Sequence, residues 1–226
     1  MESSKSFFDA IFFDMDGLMV DSEPQWFVSE IEVTKPFGYT WLEEDQVACL
    51  GGPLTRVGQY MFDKCGQVES PHFFTQELIR VQAEKMRGNT PKMPGAVELV
   101  KDLQAHGVKT ALVSASPRNI VDAVLDNLGH DLFPFSISSD EVAVTKPNPE
   151  CYLKAAAISQ SNISNCLIFE DSLTGMNAAI SSGARLIAVP HLVSIEESPT
   201  IRVIKSLEQL NYEKLKSLFK DFSKAI

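Results

Sequence analysis

From Pro94 onward the chain alternates short apolar runs with amphipathic stretches, and this alternation constrains the fold more than any other feature. The runs "VKTALVSA", "FSISS", "CLIFED" and "RLIAV" have strand length and little internal polarity, the pattern of strands covered on both faces. Between them lie helical patterns. Pro94 to His106 carries Ala96, Leu99, Val100 and Leu103 on one face, with Gly107 as a stop. "PRNIVDAVLDNLG" has Ser116 placed as an N-cap, Pro117 at the first helical position and Gly129 at the end. Asn148-Pro149 opens a helix through "CYLKAAAI", "LTGMNAAISSG" closes at Gly183, and the tail from Ser206 to Phe222 is amphipathic. Strand followed by helix, several times over, predicts a Rossmann-like α/β core: a parallel sheet with helices on both sides.

One further strand precedes this series. "FFDAIFFDM" is an uninterrupted apolar run near the start of the chain. Residues 22–88, which follow it, carry helical rather than strand patterns. "LTRVGQYMFDKC" sets Leu54, Val57, Gly58, Met61, Phe62 and Cys65 on one helical face, and a second stretch carries Phe74, Leu78 and Val81 before the Pro/Gly joint "NTPKMPG". The expectation is a core of residues 1–21 and 89–226, with residues 22–88 inserted after the first strand as a helical cap.

Ligands of open parallel sheets bind beyond the carboxyl ends of the strands, so the residues that end the strands matter most. The first strand ends in Asp14 and Asp16, with Gly17 permitting a sharp exit. The second ends in Ser114 and Ser116, the region after "FSISS" supplies Lys146, and "CLIFED" ends in Glu170 and Asp171. Four carboxylates sharing a cleft repel one another unless a cation sits among them, and ligation by oxygen alone favours Mg²⁺. A lysine and a serine hydroxyl beside that cation make a site for a phosphate dianion. One acid can then attack phosphorus while the other protonates the leaving group and later deprotonates water.

The combination "DMDG", "VSAS", "KPNP" and "FEDS" resembles the four motifs of the haloacid dehalogenase superfamily of aspartate-nucleophile phosphotransferases. The resemblance implies Asp14 as nucleophile and Asp16 as acid/base with its main-chain carbonyl on Mg²⁺. It implies Ser114 and Lys146 as phosphate holders, and Glu170 and Asp171 as metal-side acids beside Asp14 and Asp16. It also implies a Rossmann-like core with an inserted helical cap. Leu18 stands where many members have threonine, although the branch of sugar-phosphate and hexitol-phosphate phosphatases and β-phosphoglucomutases also carries an apolar residue there. Mutases of that branch have a histidine after the first motif and a lysine beside a cap glycine, where this chain has Trp26 and Gly51. A phosphatase acting on a small phosphorylated sugar or polyol is therefore expected, with a phosphoglucomutase-type isomerase as the alternative. A phospho-accepting receiver domain is disfavoured by the inserted segment. Trp26, Gly51, Gly52, Arg56 and Ala115 are the candidate substrate-pocket residues.

Composition narrows the partners. Thirty acids against twenty bases give a net charge of −10, which repels a nucleic-acid backbone. The four cysteines and four histidines show no metal-ligand spacing, so they are expected to be buried reduced thiols and surface imidazoles. The start "MESSKSFFDA" lacks a leader pattern, and no run is long enough to cross a bilayer. A cytoplasmic, monomeric enzyme is the expectation.

Overall fold

The computed structural model describes residues 7–49, 53–190 and 196–223. Six strands form one all-parallel sheet: β1 (Ile11–Phe13), β2 (Thr110–Val113), β3 (Ser136–Ile137), β4 (Leu167–Glu170), β5 (Arg185–Ala188) and β6 (Ile201–Val203), in the order β3-β2-β1-β4-β5-β6. β1 is flanked by β2 on one side and β4 on the other, with Phe13 level with both Leu112 and Phe169. The strand order reverses direction at β1, so a crevice opens beyond its carboxyl end.

Side chains alternate between the two sheet faces because the strand period is two. Ile11, Phe13, Leu112, Leu167, Phe169 and Ile187 join one apolar cluster with residues of α5 (Ala96–Ala105), α6 (Arg118–Leu128) and α9 (Tyr212–Ser223). Ala10, Phe12, Ala111, Val113, Ile168 and Leu186 join a second with α7 (Glu150–Ile158) and α8 (Leu173–Ser182). The result is a three-layer α/β/α core, the expected class. β6 has no counterpart in the sequence reading: three residues, all half-buried, form an edge too short to show a period.

Between β1 and α5 lie α1 (Glu23–Thr34), α2 (Glu43–Cys49), α3 (Leu54–Lys64) and α4 (Pro71–Asn89). They build a third apolar cluster of their own, including Val33, Trp41, Val57, Met61, Phe74, Leu78 and Val81. Gly58 lets α3 lie directly on α4, since a Cβ there would come 2.0 Å from Thr75 Oγ1 and 2.6 Å from the Pro71 carbonyl oxygen. The chain leaves and re-enters the core on adjacent strands of backbone: Asp21 N donates to Pro91 O at 2.8 Å, and Met93 N to Met19 O at 3.0 Å. The far end of α4 packs back on the core, burying Ala83 and Met86 in the first cluster.

All four cysteines are buried as thiols. Among the described residues, no helix is long and apolar enough to cross a membrane.

Candidate active site

Asp14 follows β1 directly, and its amide donates to Phe169 O at 3.1 Å, which extends the β1–β4 ladder by one step. That step sets Asp14 beside Glu170 at the end of β4 and Asp171 just beyond it. Each of the three offers a carboxylate oxygen, and the three oxygens lie within 4.8 Å of one another. Lys146 reaches the same point, donating to Asp14 Oδ1 at 2.5 Å, to Glu170 Oε1 at 2.7 Å and to Val113 O at 2.8 Å. Its three ammonium hydrogens are thereby all engaged.

One lysine does not balance three acids, two of them buried and the third, Asp171, half-buried. Burial and the Glu170 charge push Asp14 up to about 7, even with Lys146 alongside. Burial, then repulsion from Asp14, Glu170 and Asp16, push Asp171 up to about 9. Burial opposes the charge on Lys146, but Asp14 and Glu170 outweigh it and hold the ammonium well above its ordinary value. Glu170 Oε2 and Asp171 Oδ1 are buried without a hydrogen-bond partner. Three acids that bring carboxylate oxygens within 4.8 Å of one another, two of them with an orphaned oxygen and with no nitrogen or sulfur donor among them, fit a hard divalent cation.

Two glycines make this crowding possible. Gly17 has φ +76°, and a Cβ on it would lie 2.1 Å from Asp171 Oδ2. A Cβ on Gly175, in α8, would lie 2.0 Å from Glu170 Oε2.

The fourth acid is held separately. Ser22 Oγ donates to Asp16 Oδ1 at 2.7 Å and Ser116 Oγ to Asp16 Oδ2 at 2.9 Å, so the Asp16 carboxylate is clasped by hydroxyls and lies outside the group of three. Its charge still acts on Asp14 and Asp171, so Asp16 stands on the same rim as the other three acids. The expected N-cap role of Ser116 is corrected: α6 begins after Pro117 without a side-chain cap, and the Ser116 hydroxyl is turned to Asp16. Ser114 is buried at the end of β2, its Oγ accepting from Ser116 N at 3.0 Å.

The pocket candidates lie on different elements. Trp26 is half-buried on α1, packed against both the core cluster and the cluster of α1–α4. Arg56 on α3 and Ala115 beyond β2 are exposed. Gly51 and Gly52 lie outside the described residues. Sequence reasoning missed Tyr152 and Gly175 altogether. A tyrosine on an otherwise apolar helix face, six residues after the lysine, is a signal that a buried hydroxyl needs a partner, and a glycine inside α8 is a signal of close approach.

A parallel sheet whose switch point carries an aspartate, two further acids and a buried lysine defines the class, and the sequence agrees with it. The chain belongs to the haloacid dehalogenase-like hydrolases, whose family model matches residues 11–189. Among its relatives, a probable pseudouridine-5'-phosphatase of Drosophila melanogaster is 31% identical over 212 residues, covering 89% of this chain and 90% of the relative. Hexitol phosphatase B of Escherichia coli K12 is 29% identical over 184 residues, covering 80% and 83%. Among solved structures, β-phosphoglucomutase from Clostridium difficile superimposes with a TM-score of 0.81 over 96% of this chain and all of its own, at 21% identity, a likeness of fold.

Proposed function

We propose that this enzyme is a Mg²⁺-dependent phosphatase that hydrolyses a small phosphorylated sugar or polyol through an aspartyl-phosphate on Asp14. The observation that carries the reading is the placement of Asp14 at the switch point, one carboxylate oxygen gripped by Lys146 and the group crowded by Glu170 and Asp171. Asp14, Glu170 and Asp171, with the Asp16 main-chain carbonyl, would hold the ion. Bound Mg²⁺ supplies positive charge that keeps Asp14 ionised and offsets the charge of the phosphoryl oxygens.

In the first step Asp14 attacks phosphorus, the bond from phosphorus to the sugar oxygen breaks, and the departing alkoxide takes a proton from Asp16. The clasp of Ser22 and Ser116 fixes where that proton is delivered. In the second step a water attacks the aspartyl-phosphate and gives its proton back to Asp16, releasing phosphate and free Asp14. Lys146 and Ser114 would hold the phosphoryl oxygens. Lys146 exchanges one of its present carboxylate partners for phosphate, since no hydrogen of its ammonium is spare.

Residues 22–88, read as a cap, would close over the leaving group and exclude bulk water. The names of the relatives, which include a phosphorylated carbohydrates phosphatase of Thermotoga maritima, 27% identical over 215 residues, support a sugar or polyol phosphate as substrate. Trp26 stands where the mutases have histidine, and an indole moves no proton, so water is the expected acceptor.

A panel of sugar, polyol and nucleotide monophosphates, assayed for released phosphate with and without Mg²⁺, tests the reading. Phosphorus NMR of the preferred reaction separates it from isomerisation. Free phosphate without a positional isomer supports the phosphatase, and a positional isomer formed faster than free phosphate overturns it.

A further inference from the structure

Glu170 is fully buried, and its two oxygens are treated differently. Oε1 accepts from both Lys146 Nζ and the Tyr152 hydroxyl. Oε2 has no hydrogen-bond partner. Tyr152 lies on α7, a helix that contributes none of the acids and not the lysine. It is fully buried, with its ring 5.0 Å from Lys146 Nζ. On the other side, Gly175 leaves only the space that the carboxylate fills.

Lys146 cannot fix this carboxylate alone. Its three hydrogens serve Asp14, Glu170 and Val113 O, and an arriving phosphate competes for them. The phenol is the donor to Glu170 that no phosphate draws away.

We propose that Tyr152 is a positioning residue for the cation: by holding Oε1 of Glu170, it presents Oε2 as the oxygen offered beside Asp14 and Asp171. The proposal rests on reading those three acids as the metal site. It adds that part of the metal affinity is set from a helix that contributes none of those acids. Groups that orient a metal ligand from behind contribute about 10- to 100-fold to affinity.

The test uses the full-length protein without substrate, so its outcome is independent of which phosphate ester is hydrolysed. Tyr152→Phe keeps the ring and its contact with Lys146 and removes one hydroxyl. Calorimetric titration with Mg²⁺ should show binding weakened about tenfold, with the melting temperature of the metal-free protein little changed. In turnover, the Mg²⁺ concentration for half-activation should rise while KM for the ester at saturating Mg²⁺ stays put. Placing 4-aminophenylalanine at position 152, which restores a donor, should recover most of the affinity. An affinity for Mg²⁺ in Tyr152→Phe within twofold of wild type overturns the proposal. A measurement on the unmutated protein stands beside it: with tyrosine labelled at Cζ, the resonance of the one fully buried tyrosine should move as Mg²⁺ is added, and a resonance that does not move also overturns it. If the unmutated protein binds no Mg²⁺, the metal-site reading falls and this proposal with it, whereas normal binding that ignores position 152 removes the proposal alone.

Discussion

Two acidic groupings in this chain, one built around a single carboxylate and the other a cluster, have opposite characters. Asp45, in α2, sits against Tyr39, Tyr60 and Lys64 in the α1–α4 segment. Its Oδ1 accepts from Tyr60 at 2.8 Å, its Oδ2 from Leu42 N and Tyr39 at 2.9 Å, and Lys64 stands 3.4 Å away. Burial raises its pKa, but those hydrogen bonds outweigh burial and leave the carboxyl below its ordinary range. At the end of β1 and β4, burial and mutual repulsion win, and Asp14 and Asp171 are pushed up to about 7 and about 9. A satisfied acid is a fastener. Clustered acids left with orphaned oxygens have the chemistry that suits a cation.

The largest expected effect lies in the second group. Asp14→Asn should lower turnover by roughly a thousandfold or more while the protein still folds, because an amide cannot attack phosphorus. Phosphate release from the preferred ester, with circular dichroism as the folding control, checks this, and near-normal rates would remove Asp14 as nucleophile.

The first group should respond in stability instead. Asp45→Ala strands two phenols, a backbone amide and Lys64, and should cost about 3 kcal/mol, read from denaturant unfolding. Its contribution is present above the ordinary carboxylate range and lost as the pH falls through its depressed pKa. The metal-free site has the reverse sign. Asp14 and Asp171 contribute stability below their unfolded values near 3.8, and that contribution is lost as pH rises through about 7 and about 9.

It follows that the gain in melting temperature from Mg²⁺ should grow between about pH 6 and about pH 9. Asp171→Asn should raise the melting temperature of the metal-free protein by a few degrees at the alkaline end while weakening Mg²⁺ binding. A gain from Mg²⁺ that does not change with pH, or a metal-free Asp171→Asn protein less stable than its parent, would erase the contrast between the two groups.

The smallest effect is expected at Glu30, an intermediate case. It is buried on α1, pushed up to about 7 by burial, and partly relieved by the Trp41 indole donating at 2.8 Å. Glu30→Gln keeps the acceptor and should stabilise by about 1 kcal/mol above neutral pH, with no effect near pH 5. Equal unfolding midpoints for the two proteins at both pH values would contradict the assignment.

The strand-ending groups were legible in the sequence because each closes an apolar run. The end of such a run in a parallel sheet faces the ligand crevice whatever the rest of the chain does, which is why Asp14, Glu170 and Asp171 read as neighbours from the sequence alone. Lys146 joined them because it follows the short apolar run "FSISS". The helical character of the α1–α4 segment was equally plain from the 3.6-residue spacing of Leu54, Val57 and Met61. What the sequence hid depends on approach through space. Ser116 beside Pro117 reads as a helix cap, and only the fold shows its hydroxyl turned back to Asp16. Tyr152 reads as one more apolar position of α7, and Gly175 as a weak spot in a helix, until the Glu170 carboxylate is found between them. β6, three half-buried residues, is too short to leave a pattern.

The central claim is that Asp14 carries the phosphoryl group between substrate and water. Acid-quenching the enzyme during turnover of its preferred sugar or polyol phosphate, reducing the acyl-phosphate with borohydride and mapping the peptides tests this directly. The account expects homoserine at position 14, in an amount that rises and falls with turnover. Phosphate release at full rate with residue 14 unchanged, or reduction at another acid, would contradict it.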